Sequence, residues 1–422
     1  MKDISNNYSN IFKQYVEDAS SLWSFRSIAV NQPHCTLQDI DRLDGRIDAQ
    51  IDGLMSAPEE SWLICEAALA LLQPGEVFTA SALAFRSLDV RKIQRVVEVG
   101  LSDDYLCKGL ISAMAWLPGR LVHSWIKKFL TSKDLAHKYL AIAVCSARRE
   151  NPREFLANIL QREDCLAYTK LYARLLRLIG ELKRFDLVHA LHVAMLSDDD
   201  DVVFWAKWSA VMLGNKSVAI DLQRFVLKNN QHQLRAIELC FRVLPLETAR
   251  TWISLLAKDP ANIRMVIKAT ASLGDPHAIN WLVVQMRTPS LSRLAGEAFT
   301  VITGIDLQEN KLALEELPNL DEILPENGEN DFLECSGDEY LAFPDVNKVA
   351  AVWQKYQHRF ISSRRYFLGH EITSVENINT SLSRIFLNAT QRHRRMAALE
   401  LAILDPSQFL MNHEAKEPNE LA

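Results

Sequence analysis

A chain of 422 residues with 48% hydrophobic and 24% charged side chains has the composition of a folded protein with a large core, which excludes disorder throughout. Its 47 basic residues fall short of its 53 acidic ones, so it lacks the bulk positive charge that grips a phosphate backbone, and nucleic acid is not an expected partner. Fourteen Gly and fourteen Pro are few for this length, and Leu, Ala and Arg crowd where Val, Ile and Thr would fill a sheet, which predicts an all-α fold.

From the amino terminus, Tyr8, Ile11, Phe12, Tyr15, Val16, Leu22, Trp23 and Phe25 recur at mostly helical spacing and stop before Pro33, which predicts one or two opening helices. No uninterrupted apolar run or small-residue cleavage site opens the chain, and no apolar run of about 18 residues occurs, so neither a secretion signal nor a membrane span is expected. Thr36 then precedes an amphipathic helix with Leu37, Ile40, Leu43, Ile47, Ile51 and Leu54 on one face and charges, Arg42 and Arg46 among them, on the other. Gly45 within it costs about 1 kcal/mol relative to Ala, so a closely packed neighbouring backbone is expected there. Residues 61–86 read as two helices parted by Pro74 and Gly75. Residues 1–89 together are expected to form a helical cap, because the end of a repeat array exposes apolar surface that must be covered.

From about residue 90 the helices rhyme. Stops fall at Gly180, Gly214 and Gly274, and the second interval, nearly double the first, is halved near Leu244 and Pro245. Pro118 and Gly119 stand about two such steps before Gly180, with a polar stop at residues 147–152 between them. Asp259-Pro260 and Asp275-Pro276 each suit a helix start, since Asp caps a first turn and Pro fits inside it. A period of roughly 30–34 residues with two helices per unit is how an α-solenoid of HEAT type is built from stacked helix pairs, here over residues 90–305.

The grammar then changes. Residues 312–347 hold eleven acidic side chains and no Lys or Arg, with Pro and Gly spread between them, so residues 306–347 are expected to be an irregular acidic insertion. Its removal would leave the rest of the chain with five positive charges in excess. It either covers a basic stretch of its own solenoid or docks a basic partner. The cluster Arg392, His393, Arg394 and Arg395 is a basic stretch it is expected to meet. Helices resume over residues 348–411, and residues 412–422 form a polar tail expected to be disordered.

The chemistry of known motifs is missing. No HExxH, Walker loop, GxSxG or GxGxxG occurs, so no catalytic, cofactor-binding or metal residues are assigned and the chain is expected not to be an enzyme. His189 and His192 beside Asp186 read as ordinary helix residues rather than metal ligands, and Asp198 to Asp201 as acids at a helix start rather than a cation site. The seven cysteines, Cys35, Cys65, Cys107, Cys145, Cys165, Cys240 and Cys335, never form a CxxC pair and read as reduced thiols of a cytoplasmic protein. Arg264 has the place of a charged residue that pairs with the preceding turn.

Nine segments in order then make the sequence familiar: SLWSFRSIAV, HCTLQDIDRLDGRIDAQIDGL, GEVFTASALAF, LISAMAWLPG, FWAKWSAVMLG, LAGEAFTVITGIDL, DEYLAFPD, RRYFLG and QRHRRMAALELAIL. Over residues 15–411 the chain resembles a bacterial family of HEAT-like proteins of about 400 residues often encoded near type VI secretion genes. It departs from that pattern after GEAF, where Thr300 and Val301 replace the usual serine and leucine. The resemblance implies a cytoplasmic adaptor or chaperone that holds a secreted effector or a spike-tip protein, and it carries no catalytic residues. Such a scaffold would bind through aromatic and arginine anchors and through acids of the insertion. The candidates are Trp23, Arg42, Arg46, Trp205, Trp208, Arg293, Glu315, Glu316, Asp321, Glu322, Asp338 and Glu339. Two other readings remain: an immunity protein that blocks a cognate toxin with the acidic insertion, and a HEAT-like DNA-processing enzyme, which would need a basic groove.

Overall fold

The computed structural model describes residues 2–315, 337–372 and 375–416. They are mostly helical, with twenty-two α-helices and one two-stranded sheet among them. In order, the helices are α1 (Lys2–Ala29), α2 (Leu37–Met55), α3 (Pro58–Ala68), α4 (Pro74–Ser87), α5 (Val90–Gly100), α6 (Asp104–Trp116), α7 (Gly119–Thr131), α8 (Leu135–Arg148), α9 (Glu154–Leu160), α10 (Glu163–Ala167) and α11 (Thr169–Glu181). There follow α12 (Val188–Ala194), α13 (Asp200–Met212), α14 (Gln223–Leu227), α15 (Gln233–Val243), α16 (Leu246–Leu256), α17 (Ile263–Leu273), α18 (Ile279–Gln285), α19 (Pro289–Thr303), α20 (Val346–Tyr356), α21 (Val375–Asn388) and α22 (Gln391–Leu404). Two compact units divide the chain: unit 1 is 1–31, 35–209 and 409–422, and unit 2 is 32–34 and 210–408.

Local chemistry sets the helix limits. Thr36 and Asp39 form a capping box at the start of α2, whose buried Ile40, Ile47, Ile51 and Leu54 follow the expected period. Asp89, Asp103 and Asp134 each accept backbone N–H bonds at the starts of α5, α6 and α8, and Pro58, Pro74 and Pro289 occupy first turns. The two Asp-Pro pairs do as the sequence predicts: Asp259 and Asp275 cap the short 3-10 turns that lead into α17 and α18. Gly274 closes α17 at a φ of +72°, a left-handed value that glycine takes without a Cβ clash.

In unit 1, α1 packs on α2, α3 and α4, and then α4 on α6, α6 on α8 and α8 on α11. The intervening α5 contacts both α4 and α6, and α7 contacts α8. Phe78 and Phe85 of α4 are fully buried, each contributing about 1.5–3 kcal/mol. In unit 2, α15 packs on α17 and α17 on α19, while α16 contacts α17 and α18 contacts α19. Around Ile267, Phe299, Trp353 and Tyr366 lies the core of this unit, which α20 joins. The helices α4, α6, α8, α11, α13, α15, α17 and α19 close on Ser87, Trp116, Arg148, Glu181, Met212, Val243, Leu273 and Thr303, an almost even spacing along the chain.

Some expectations meet different surroundings. Nothing lies within 4 Å of a Cβ built on Gly45, so no neighbour presses there; that glycine faces open space on the exposed side of α2. The close approach is at Gly109 of α6, where an added Cβ would collide with the carbonyl of Pro74 on α4. Tyr366–Phe367 and His370–Glu371 form a small antiparallel hairpin that the periodicity did not suggest.

Candidate interaction surface

The three tryptophans proposed as anchors are core residues. Trp23 stacks on Phe78 at 5.6 Å between ring centroids and donates from Nε1 to Ser112 Oγ at 2.8 Å. Trp205 and Trp208 meet edge to face at 5.4 Å, both buried, with the Arg177 guanidinium over Trp205. An indole already enclosed by its own chain offers no area to a partner, so these positions are corrected from surface anchors to packing. Arg42 and Arg46 are exposed on α2, Arg42 bonding Asp39 at 3.3 Å. Glu315 is exposed, whereas Glu316, Asp321 and Glu322 lie outside the described residues, as does Cys335.

Arg293, Asp338 and Glu339 do come together, in unit 2. Asp338 forms an ion pair with Arg264 of α17 and lies 4.0 Å from Arg392 of α22. Arg293 of α19 donates to the carbonyls of Asp338 and Glu339 and lies over the Phe343 ring. Tyr340 packs on His34 at 4.4 Å. Thus the described end of the acidic insertion is held in cis. From the basic cluster Arg392 reaches it, whereas Arg394 bonds the Phe386 carbonyl and Arg395 bonds Glu238 at 2.7 Å. Arg264 bonds Ser290 O and Asp338 rather than the preceding turn. At the base of the insertion the backbone closes on itself, Leu314 N–H donating to Phe343 O at 2.8 Å and Asp345 N–H to Leu312 O at 2.7 Å.

Two more irregular segments lie along helix ends. In unit 2, the hairpin donates from Tyr366 N–H to Gly274 O and from Leu368 N–H to Val301 O, while Arg365 donates to the carbonyls of Arg242, Ser272 and Leu273 and pairs with Glu400. In unit 1, residues 409–416 do the same. Leu410 N–H donates to Glu181 O at 2.9 Å and Leu410 O accepts from Arg149 Nε at 2.6 Å. Asn412 donates to Ala147 O, Glu414 O accepts from Arg26, and Lys416 pairs with Asp48 over the Trp116 ring. Residues 412–416 of the tail, expected to be disordered, therefore carry specific contacts; residues 417–422 lie outside the described residues.

Buried ions hold these sockets. Burial pushes the Glu181 carboxyl up, but Arg177, Arg149 and Arg174, with the Ser146 hydroxyl, outweigh it and bring it to about 2. Arg26 forks onto Asp44, and Arg242 pairs with Glu400, both nearly inaccessible. Arg148 turns back along the chain, donating to the carbonyls of Met114, Ala115 and Leu117 at the end of α6. Arg184 repeats the move one helix pair later, onto Asn151 and Arg153 O. Sequence reasoning missed Glu181, Glu297, Lys268 and Arg149. The available signal was a charge at i, i+4 spacing inside an apolar helix, as in Arg264 with Lys268 and Arg293 with Glu297.

The rest of the chemistry points away from reactive groups. Among the described residues no cluster of three or more His, Cys, Asp or Glu has metal-binding geometry. The six described cysteines are buried, and burial pushes the Cys65 and Cys145 thiols up to about 12 and Cys107 up to about 11, so the nucleophilic thiolate is scarce. No described helix is long and apolar enough to cross a membrane. Comparison with protein families, with characterised proteins and with solved structures finds no match.

Proposed function

We propose that the chain is a non-catalytic protein-binding scaffold, a HEAT-like α-solenoid that serves as a cytoplasmic adaptor or chaperone for a type VI secretion effector or spike component. The observation that carries this reading is the way each unit treats its own irregular segments. Helix ends in each unit present carbonyls and arginines, and the hairpin and the tail are held there by main-chain bonds at Tyr366, Leu368, Leu410 and Glu414 together with the side chains of Arg365, Asn412 and Lys416. A surface that grips backbone accepts extended segments of varied sequence, which is the property a carrier of unfolded or partly folded cargo needs. The secretion context rests on the sequence resemblance alone.

Affinity capture of the tagged protein from its native bacterium, with mass spectrometry after washes at two salt concentrations, tests the proposal. Recovery of an effector or spike protein is the expected result; nucleic acid in the eluate with no protein partner would overturn it. A second reading, immunity, draws on the pinned base of the acidic insertion, since Leu312 to Leu314 bonded to Phe343 and Asp345 fixes where that segment leaves and rejoins the fold. Deleting residues 316–336 leaves that base in place. Under immunity, protection from the cognate toxin is lost while the melting temperature holds; unchanged protection rejects it.

A further inference from the structure

Away from the helix-end sockets, unit 1 has a cavity of about 480 Å³ lined by residues of α5, of α7 and of the start of α8. That volume falls within the range of about 300–1,000 Å³ typical of pockets that take up a ligand. Three rings form one side of it, Trp125 and Phe129 with centroids 5.8 Å apart and Phe129 and His137 with centroids 5.1 Å apart. Contacts behind these rings hold them in place: the fully buried Phe85 meets Trp125 edge to face at 6.2 Å, and Ser132 Oγ bonds His137 Nδ1 at 3.1 Å. Glu98 and Asp134, both exposed, line the same cavity, and no Lys or Arg does so among the described residues. Asp134 accepts the Ala136 N–H at the start of α8 through Oδ1 and has no ion-pair partner among the described residues. Glu98 pairs with Arg95 of its own helix at 3.0 Å, an exposed pair of the kind that holds an acid only weakly.

Aromatic faces carry negative potential, and two carboxylates beside them with no cation in the lining make the cavity complementary to a positive group. Lys128 shows the pull, for its ammonium lies 4.2 Å from the centroid of the Trp125 ring on a long exposed side chain. A guanidinium suits the place better than an ammonium, because one planar group can stack on a ring and fork onto a carboxylate at once. We propose that this cavity binds an arginine side chain presented by a partner polypeptide. Arginine is among the residues that most often anchor an interface. The free amino acid fits less well, since its own carboxylate would be repelled by Glu98 and Asp134. The proposal rests on the reading of the chain as a protein-binding scaffold, at a place separate from the sockets of the hairpin and the tail.

Titration of the full chain, labelled with fluorotryptophan, with an end-blocked Gly-Gly-Arg-Gly-Gly peptide tests it by fluorine NMR at constant ionic strength. Saturable movement of the Trp125 signal, assigned through Trp125→Phe, is expected, while the signal of the buried Trp205 stays in place. Asp134→Asn keeps a side chain that caps α8, and Glu98→Gln keeps its shape, so the double variant should fold and bind the peptide about tenfold or more weakly. Lysine or the uncharged isostere citrulline in place of the peptide's arginine should weaken binding as well. A stationary Trp125 signal, equal binding by the folded double variant, equal affinity for the lysine or citrulline peptide, or tighter binding of free arginine overturns the proposal. Failure here and failure of the scaffold reading are distinguishable. A protein captured from the native bacterium and retained equally by the double variant rejects the cavity and leaves the scaffold standing, whereas capture of nucleic acid with no protein partner rejects both.

Discussion

Glu181 shows what a single charge does inside unit 1. Its side chain has no solvent exposure and answers Arg149 at 3.3 Å and Arg177 at 2.7 Å. Replacing it by Gln leaves those cations buried without their counter-charge, and we expect a loss of about 3–5 kcal/mol in chemical denaturation. The pH dependence has a definite sign. Because the folded value, about 2, lies below the ordinary 4.5, the stabilisation is complete above about pH 4.5 and drains away as pH falls towards 2. Glu181→Gln therefore flattens the acid limb of the stability curve, and an unaltered limb would refute the assignment. His393 titrates higher. Burial of the ring, helped by Arg392, brings it from 6.5 down to about 4, and its Nε2 has no partner among the described residues. Stability credited to the neutral ring is present above pH 6.5 and is lost between there and pH 4, so His393→Gln should remove that segment of the pH profile. Neither residue announces itself in the sequence, where a Glu at the end of an Arg-rich helix and a His between arginines look like solvated surface.

At the scale of helices, backbone contact separates two glycines that look alike in sequence. Gly109→Ala drives a methyl into the Pro74 carbonyl where α6 crosses α4, and overpacking of this kind costs about 1–3 kcal/mol. Gly45→Ala meets open space inside α2, so it should stabilise by about 0.5–1 kcal/mol through helix propensity. Thermal melts of the pair decide the matter: equal effects would mean that α4 and α6 do not approach so closely. Much at this scale is readable in advance. The Asp-Pro starts, the Gly274 stop and the stripe on α2 are short-range features, fixed by capping and period, and they fall where the sequence puts them. The role of Gly45 and the burial of Trp205 and Trp208 depend on which neighbour arrives from elsewhere in the chain, and spacing carries no record of that.

At the scale of the whole chain, the least legible element is the tail. Polar and Pro-containing, it reads as disordered, yet residues 409–416 find partners on α1, α2, α8 and α11 because those helices leave carbonyls and arginines to be satisfied. Truncation after Gln408 strands the Arg26 and Arg149 donors, at about 1–3 kcal/mol for each that water fails to reach. Hydrogen exchange should then quicken at the ends of α8 and α11 while α17 and α19 keep their protection. Faster exchange in unit 2 alone would contradict the contacts that hold the tail.

The split composition of unit 1 has a consequence for biosynthesis. The stretch that ends at Ser209 leaves the ribosome early, but residues 409–422 emerge only after all of unit 2 has been made. At about 5–20 residues per second that interval is on the order of 10–40 s. During it the nascent chain carries a nearly complete helical unit whose last sockets stand open. A stop introduced directly after Gln408, which leaves the whole of unit 2 in place, would release a chain that never finishes its first unit.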